Sequence, residues 1–306
     1  MNIDLELINR EVEQEPAAFI RDMNIRYREY LQKVAKDIAD HRDQRPIILL
    51  SGPSGSGKTT TAMMIEKLLD EQGIETHTLS LDNYFSPFND EERKLYAEGR
   101  LDLESPQRID SEFLVSQLRA IYNCEPIELP TYDFKNSQRL ISGKILARKP
   151  GELVIFEGIH ALNPDVLAIP DEYTAKMYVS VRTRIMKNGK ALHPSRIRLM
   201  RRLVRDMHFR KRTFADTLGM FESVEAGENK YIMPYKHRSD YDVDTFMAYE
   251  ISAYKPFLIE AFRTMTDHPL VQEMLEFLEA TEPLDKEFIT PDSLVCEFVG
   301  NGQFEY

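Results

Sequence analysis

The apolar run Pro46-Ile-Ile-Leu-Leu-Ser51 passes directly into Gly52-Pro-Ser-Gly-Ser-Gly-Lys58-Thr59, and residues 58–72 then carry Met64, Ile65, Leu68 and Leu69 at helical spacing before Gly73. A short unbroken apolar run marks a parallel strand covered on both faces, and a glycine after the last periodic residue ends a helix. The chain must therefore build a strand, a tight loop and a helix in that order. The loop fits G-x-x-x-x-G-K-[ST] in full, in the context that gives the pattern its meaning. Its glycines let the backbone wrap closely, so that N–H groups and the helix N-terminus point at phosphate oxygens. The expected phosphate-binding set is Gly52, Ser54, Gly55, Ser56, Gly57, Lys58, Thr59 and Thr60. Lys58 would reach the β- and γ-phosphates, and the Thr59 hydroxyl would sit on Mg²⁺.

Residues 74–81, 153–156 and 176–181 read as further strands, with helical or irregular stretches between them. This alternation implies an α/β fold, a doubly wound parallel sheet flanked by helices. Residues 126–134 and 139–147, split by Asn136-Ser137, read as a small antiparallel insertion. Residues 196–218 and 244–265 read as helices, and Leu294-Val-Cys-Glu-Phe-Val299 as a strand. Residues 1–45 place Phe19, Ile20, Met23, Tyr27, Tyr30, Leu31, Val34 and Ile38 at helical intervals. The expected organisation is a helical N-terminal extension over 1–45, a phosphate-binding domain over 46–265 with a helical lid at about 190–218, and a tail over 266–306 packed upon it.

A nucleotide site of this kind needs an acid for the metal. Glu157 follows the apolar strand and precedes Gly158, so it would emerge at the carboxyl edge of the sheet, where α/β folds place ligands. Asp82, in Ser80-Leu-Asp-Asn-Tyr-Phe85, ends the second strand on the same edge. A carboxylate there can orient an alcohol and accept its proton during phosphoryl transfer. From Arg196 to Arg212, eight Arg or Lys residues stand against one acid, Asp206, in a chain of net charge −12. Arg198, Arg201, Arg202 and Arg205 can share a helical face, with Leu199, Leu203 and Met207 holding the opposite face to the protein. Guanidinium forks suit phosphate oxygens. Arg202 and Arg205, then Arg210 and Arg212, are expected nearest the nucleotide on a lid that closes over the transferring group. Tyr231, Lys236, His237 and Arg238 could extend this site. Overall acidity excludes unspecific attraction to nucleic acid or an anionic membrane, and no run approaches the ~18 apolar residues of a membrane span. Two distant cysteines, Cys124 and Cys296, suit a reduced, cytoplasmic compartment better than a disulfide framework.

Five segments recur in a fixed order: Gly52 to Thr59, Leu81-Asp-Asn-Tyr-Phe85, Pro130-Thr-Tyr-Asp-Phe134, Phe156-Glu-Gly-Ile159 and Arg198-Leu-Met-Arg-Arg-Leu-Val-Arg-Asp206. Together they resemble the uridine kinases, within the group that also holds phosphoribulokinases, over residues 46–257. The resemblance implies a P-loop NTPase-type kinase that uses ATP and Mg²⁺ to phosphorylate the 5′-hydroxyl of a nucleoside, uridine or cytidine, in pyrimidine salvage. By it, Asp82 faces that hydroxyl, Phe85 lines the acceptor pocket, and Tyr132 sits beside the base. Leu103-Glu-Ser-Pro-Gln-Arg-Ile-Asp110 resembles the family's Phe-Asp-His-Pro segment, which puts Glu104 in place of a ribose-binding aspartate. Arg198 is assigned to the substrate with them. Where many members have a histidine against the pyrimidine, this chain has Ser137, which can hydrogen-bond but neither stacks nor spans the same distance. Base selectivity is thereby left open.

Pro234-Tyr-Lys-His-Arg238 and Glu297-Phe-Val-Gly300 resemble a bacterial uridine-kinase-like subgroup, many of which carry an N-terminal domain related to threonyl-tRNA synthetases. This chain has only residues 1–45 in its place. Family members are often homo-oligomers. Two alternatives stand beside the nucleoside kinase: a kinase of another small alcohol, such as a sugar phosphate or a pantothenate-like compound, and a nucleotide-binding regulator with no acceptor. Asp82 together with Glu104 and Tyr132 argues against the regulator, which needs no acceptor pocket.

Overall fold

The strand that leads into the glycine loop becomes the centre of the sheet. The computed structural model describes residues 1–305. Its strands are β1 (Asn2–Asp4), β2 (Ile47–Ser51), β3 (Thr76–Ser80), β4 (Ile127–Asp133), β5 (Gln138–Leu146), β6 (Leu153–Glu157), β7 (Thr174–Ser180), β8 (Arg184–Lys187), β9 (Lys190–Leu192) and β10 (Tyr241–Asp244). Its helices are α1 (Leu5–Gln14), α2 (Pro16–Asp40), α3 (Lys58–Asp70), α4 (Asp90–Ala97), α5 (Ser111–Tyr122), α6 (Pro194–Phe209), α7 (Phe214–Gly227), α8 (Glu250–Thr264), α9 (Pro269–Glu279) and α10 (Cys296–Val299).

The main sheet has the order β10-β7-β2-β6-β3 and is parallel throughout. Ile48, Leu50, Leu153 and Ile155 point into one core, shared with apolar residues of α1, α2, α3, α6, α8 and α9. Ile47, Leu49, Val154 and Phe156 point into a second, against Leu114, Leu118 and Ile121 of α5 and Ala161 to Leu167. Burial on both faces is why these strands read as unbroken apolar runs. Pairing is in register, with Leu50 and Ser80 both opposite Glu157 and Ser51 opposite Tyr178, so Ser51, Ser80 and Glu157 end together at the carboxyl edge. From β2 the sheet extends to β6 and β3 on one side and to β7 and β10 on the other, and a crevice opens at that divide.

Several expectations are corrected. Residues 294–299 form no strand: Glu297, Phe298 and Val299 N–H groups donate to Leu294, Val295 and Val295 carbonyls, and the segment closes into a helical turn ending in α10. A six-residue apolar run buried on several sides gives no periodicity to separate the two states. The fifth main strand, β10, has the sequence Tyr-Asp-Val-Asp and carries no apolar run, and the helix expected from 244 begins at Glu250. The basic stretch is two helices. Arg210 to Thr213 break it, with Lys211 at φ 53° and a capping box of Thr213 and Asp216 starting α7. At the other end, β1 adds to β8 in parallel, Asn2 opposite Arg184, so the N-terminal segment contributes a strand as well as two helices. The β4–β5 hairpin is antiparallel as expected, with Ser137 at φ 51° in its turn.

Candidate active site

Gly57 takes φ 84° as it caps α3, and Gly55 takes φ 76°, conformations that a side chain resists. A Cβ on Gly52 would lie 2.0 Å from the Val179 carbonyl oxygen, so this glycine lets the loop start against β7. The loop is braced from α6. Arg198 donates to the Ser54 carbonyl at 3.1 Å and pairs with Glu228. Arg201 donates to the Gly55 carbonyl at 3.2 Å and forms a fork with Glu250 at 2.6 and 3.0 Å. Arg202 hydrogen-bonds the Ser54 hydroxyl.

A cavity of about 290 Å³ lies beyond the loop. Ser54, Gly55, Gly57, Lys58, Thr59, Asp82, Phe85, Glu104, Glu157, Arg202, Arg205, Arg210 and Arg212 all line it. Gly52, Ser56 and Thr60 instead form the buried underside of the loop, where Thr60 Oγ1 donates to Glu297 Oε2 at 2.5 Å. Tyr132 stands one layer back: its ring meets Phe85 edge-on at 5.7 Å and its hydroxyl donates to the Ser86 carbonyl at 3.2 Å. Ser137 and Arg198 do not line the cavity, and Arg198 is spent on the loop and Glu228.

Three carboxylates converge near one lysine. Asp82 is exposed to the open cavity while the protein surrounds it on its other sides, and partial loss of bulk water pushes its carboxyl up, opposed by Lys58 and Arg210. Glu157 is also pushed up by burial, with Lys58 opposing and Asp82 reinforcing the shift. Burial raises Glu104 as well, against Arg202 and Lys58. Arg202 is pushed down to about 10, by burial and then by Arg205. Buried Asp206 gathers the cations, with Arg205, Arg210 and Arg212 at 3.5, 3.4 and 3.8 Å. A low-dielectric pocket with several guanidinium groups gathered on one carboxylate is suited to a polyanion.

The shared basic face expected of α6 is corrected in two ways. Arg201 points inward and is wholly buried, and Arg198 and Arg202 are nearly so, because this face packs on the phosphate loop rather than lying open. Tyr231, Lys236, His237 and Arg238 do not line the cavity. Arg238 ties the Leu162 carbonyl and Asp171, while the Tyr231 hydroxyl donates to Asp102 at 2.8 Å.

Two residues at or beside the cavity have no role legible in the sequence, although Glu297 stands in the Glu297-Phe-Val-Gly300 likeness. Glu297 reaches the site from α10. His160 donates from Nε2 to the Glu104 carbonyl at 2.9 Å, its imidazole held down at about 4 by burial and therefore neutral. Among the described residues no three or more His, Cys, Asp or Glu side chains form a metal cage. Thr59 and Glu157 nonetheless present hard oxygen donors, which fits Mg²⁺ held by one or two protein oxygens together with substrate phosphates and water.

A family model described as phosphoribulokinase/uridine kinase matches residues 47–252, which hold the loop, both strand-end acids and α6. The chain belongs to this family. It is a kinase of that group, and the family implies ATP as donor. It is similar to the uridine kinase of Staphylococcus epidermidis, at 31% identity over 201 residues, covering 65% of this chain and 86% of that one. The uridine kinase of Staphylococcus haemolyticus is 32% identical over 197 residues, covering 63% and 84%. A structure described as a possible uridine kinase from Bacillus stearothermophilus superposes at a TM-score of 0.47 and 17% identity, covering 71% of this chain and 98% of that one. Among the described residues, no helix is long and apolar enough to cross a membrane.

Proposed function

We propose that this protein transfers the γ-phosphoryl group of ATP to the 5′-hydroxyl of a nucleoside, uridine or cytidine. The observation that carries this is the meeting of Asp82 and Glu104 with Lys58 and Thr59 on one cavity. A protein that only bound or hydrolysed nucleotide would have no use for two further carboxylates and an aromatic corner there. Asp82 accepts the hydroxyl proton as oxygen O5′ bonds to the γ-phosphorus and the bond to the β–γ bridging oxygen breaks, leaving ADP. Glu104 accepts hydrogen bonds from ribose hydroxyls. Phe85, backed by Tyr132 and Phe134 in edge-on contact at 5.7 and 6.1 Å, supplies the wall beside the base. Lys58 and Arg202, Arg205, Arg210 and Arg212 hold the phosphates and neutralise the charge spread over the transferring group. Thr59 and Glu157 would hold Mg²⁺, which when bound would supply positive charge to the phosphates.

The uridine kinases among the relatives support the nucleoside, and motif likenesses near the C-terminus support the bacterial subgroup. The test is ADP release by the purified protein with and without uridine, cytidine, adenosine, guanosine, ribulose 5-phosphate and pantothenate. Strong stimulation by uridine or cytidine is expected. Stimulation only by another compound would change the acceptor, and slow hydrolysis indifferent to all six would favour a regulator.

A further inference from the structure

Arg108 is a cation shut away behind the acceptor wall. It lies on the segment that opens with Leu103 and Glu104, both of which line the cavity, yet it is itself buried. Its backbone clasps the Phe85 turn: Phe85 and Ile109 form an antiparallel bridge, and the Ser86 N–H donates to the Arg108 carbonyl at 2.7 Å. The guanidinium carbon lies 4.1 Å from the centre of the Phe88 ring and 5.6 Å from that of Phe85. Nη2 donates to the Ser86 carbonyl at 3.3 Å and to the Tyr132 hydroxyl at 3.4 Å, both long, and buried Nη1 has no hydrogen-bond partner. Among the described residues, the one carboxylate paired with it is that of Glu92 at 3.9 Å, whose other oxygen accepts from the Asn89 N–H at the start of α4.

A buried guanidinium ordinarily finds acceptors for its donors, and leaving one unmade is costly. An apolar chain of the same length would fill the space between Phe85 and Phe88 without that cost. Charge kept at a loss of stability is characteristic of working sites. We propose that Arg108 sets the base preference of the acceptor by its field, favouring the C4 carbonyl of uracil over the C4 amino group of cytosine; this rests on the acceptor being a pyrimidine nucleoside.

The direction of the base follows from the ribose. C4 stands opposite the glycosidic N1 across the six-membered ring, so it is the end of the base farthest from the sugar. With the ribose between Asp82 and Glu104 and the base along Phe85, C4 is carried towards the corner where Phe85, Tyr132 and Arg108 meet. Contact is not required. Little water and one counter-ion at 3.9 Å screen the guanidinium, so its attraction acts past the Phe85 ring. A carbonyl oxygen turns the negative end of its dipole to that charge, and an amino group turns its positive hydrogens. Ser137, in the hairpin turn and off the cavity, leaves the choice to another group.

The test is kcat/KM for uridine and for cytidine at saturating Mg²⁺-ATP in the unmodified protein, Arg108→Met and Arg108→Lys. The unmodified protein should prefer uridine by about tenfold, the scale of a fractional charge several ångströms from a full one at protein-like dielectric. Arg108→Met should erase the preference by raising the KM of uridine and lowering that of cytidine. Arg108→Lys, which keeps the charge and loses the planar fork, should retain it. An arginine that only held the wall together would move both nucleosides alike. A ratio unchanged in Arg108→Met, or lost in Arg108→Lys as in Arg108→Met, would overturn the proposal. So would an unmodified protein that uses the two equally or prefers cytidine, a result that needs no variant to fold. Should neither nucleoside raise ADP release, the nucleoside reading falls and this proposal with it, whereas two nucleosides phosphorylated equally well sink this proposal alone.

Discussion

Arg201 and Glu250 form a wholly buried ion pair directly beneath the phosphate loop, at 2.6 and 3.0 Å. Arg201 spends its remaining donors on the Gly55 carbonyl and on Thr245, whose own hydroxyl donates to the Ser56 carbonyl at 2.6 Å. The pair thus links α6, α8 and the loop. Removing one partner leaves a buried charge uncompensated, which costs about 3–5 kcal/mol. Glu250→Gln should lower stability on that scale in chemical denaturation, and Arg201→Lys should not restore what the planar fork provides.

Asp82→Asn should lower turnover by about 10²–10⁴-fold, the usual contribution of a general base, while ADP binding measured by calorimetry is retained. Its raised carboxyl also has a stability consequence of definite sign. The folded state holds this proton more tightly than the unfolded chain, so stability falls as pH rises from the ordinary carboxylate range through the raised folded value. Asp82→Asn should therefore raise the melting temperature at neutral pH, and the gain should vanish below the ordinary carboxylate range. A variant that melts lower at neutral pH and gains nothing there would contradict the desolvation account.

What could be read from the sequence was local. Gly52 to Thr59, Asp82 and Glu157 each lie within a short contiguous motif, and three parallel strand ends bring them to one edge. Strand β10 and the turn at residues 294–299 escaped because four residues of mixed polarity, or six of unbroken apolarity, carry no usable period. The inward turn of Arg201 was equally hidden: helical spacing says that Arg198, Arg201, Arg202 and Arg205 are neighbours, but only the packing of α6 on the loop and Glu250 says which are consumed there. Glu297 lies 237 positions from its partner Thr60, and no spacing rule spans that distance.

Arg202, Arg205, Arg210 and Arg212 line the cavity together with Lys58, and the last three of the arginines gather on the single carboxylate of Asp206, so a polyanion should stabilise the fold. With tripolyphosphate at a hundred times its dissociation constant, the expected gain is about 2.7 kcal/mol, seen as a raised melting temperature that shrinks with added salt. Arg205→Ala should reduce that gain. Lys58→Met should reduce it too, whereas Arg263→Ala, an exposed arginine on α8 paired with Glu260, should not. Equal gains in all four proteins would mean that the anion binds elsewhere.

Gly227 ends α7 against the acceptor side of the cavity. A Cβ there would lie 2.5 Å from Glu104 Cβ and 2.8 Å from its Cγ, closer than such atoms approach, although the helical backbone at this position suits any residue. Gly227→Ala must therefore displace Glu104, which His160 otherwise holds through its carbonyl. If Glu104 receives the ribose, the acceptor KM should rise on the order of tenfold, about 1.4 kcal/mol, with the ATP KM unchanged. Gly219→Ala on the same helix meets nothing within 4 Å. It should leave both constants alone and stabilise the protein by roughly 1 kcal/mol through helix propensity. A Gly227→Ala enzyme with the acceptor KM of the parent would show that Glu104 can move aside freely, and it would remove this carboxylate from acceptor binding.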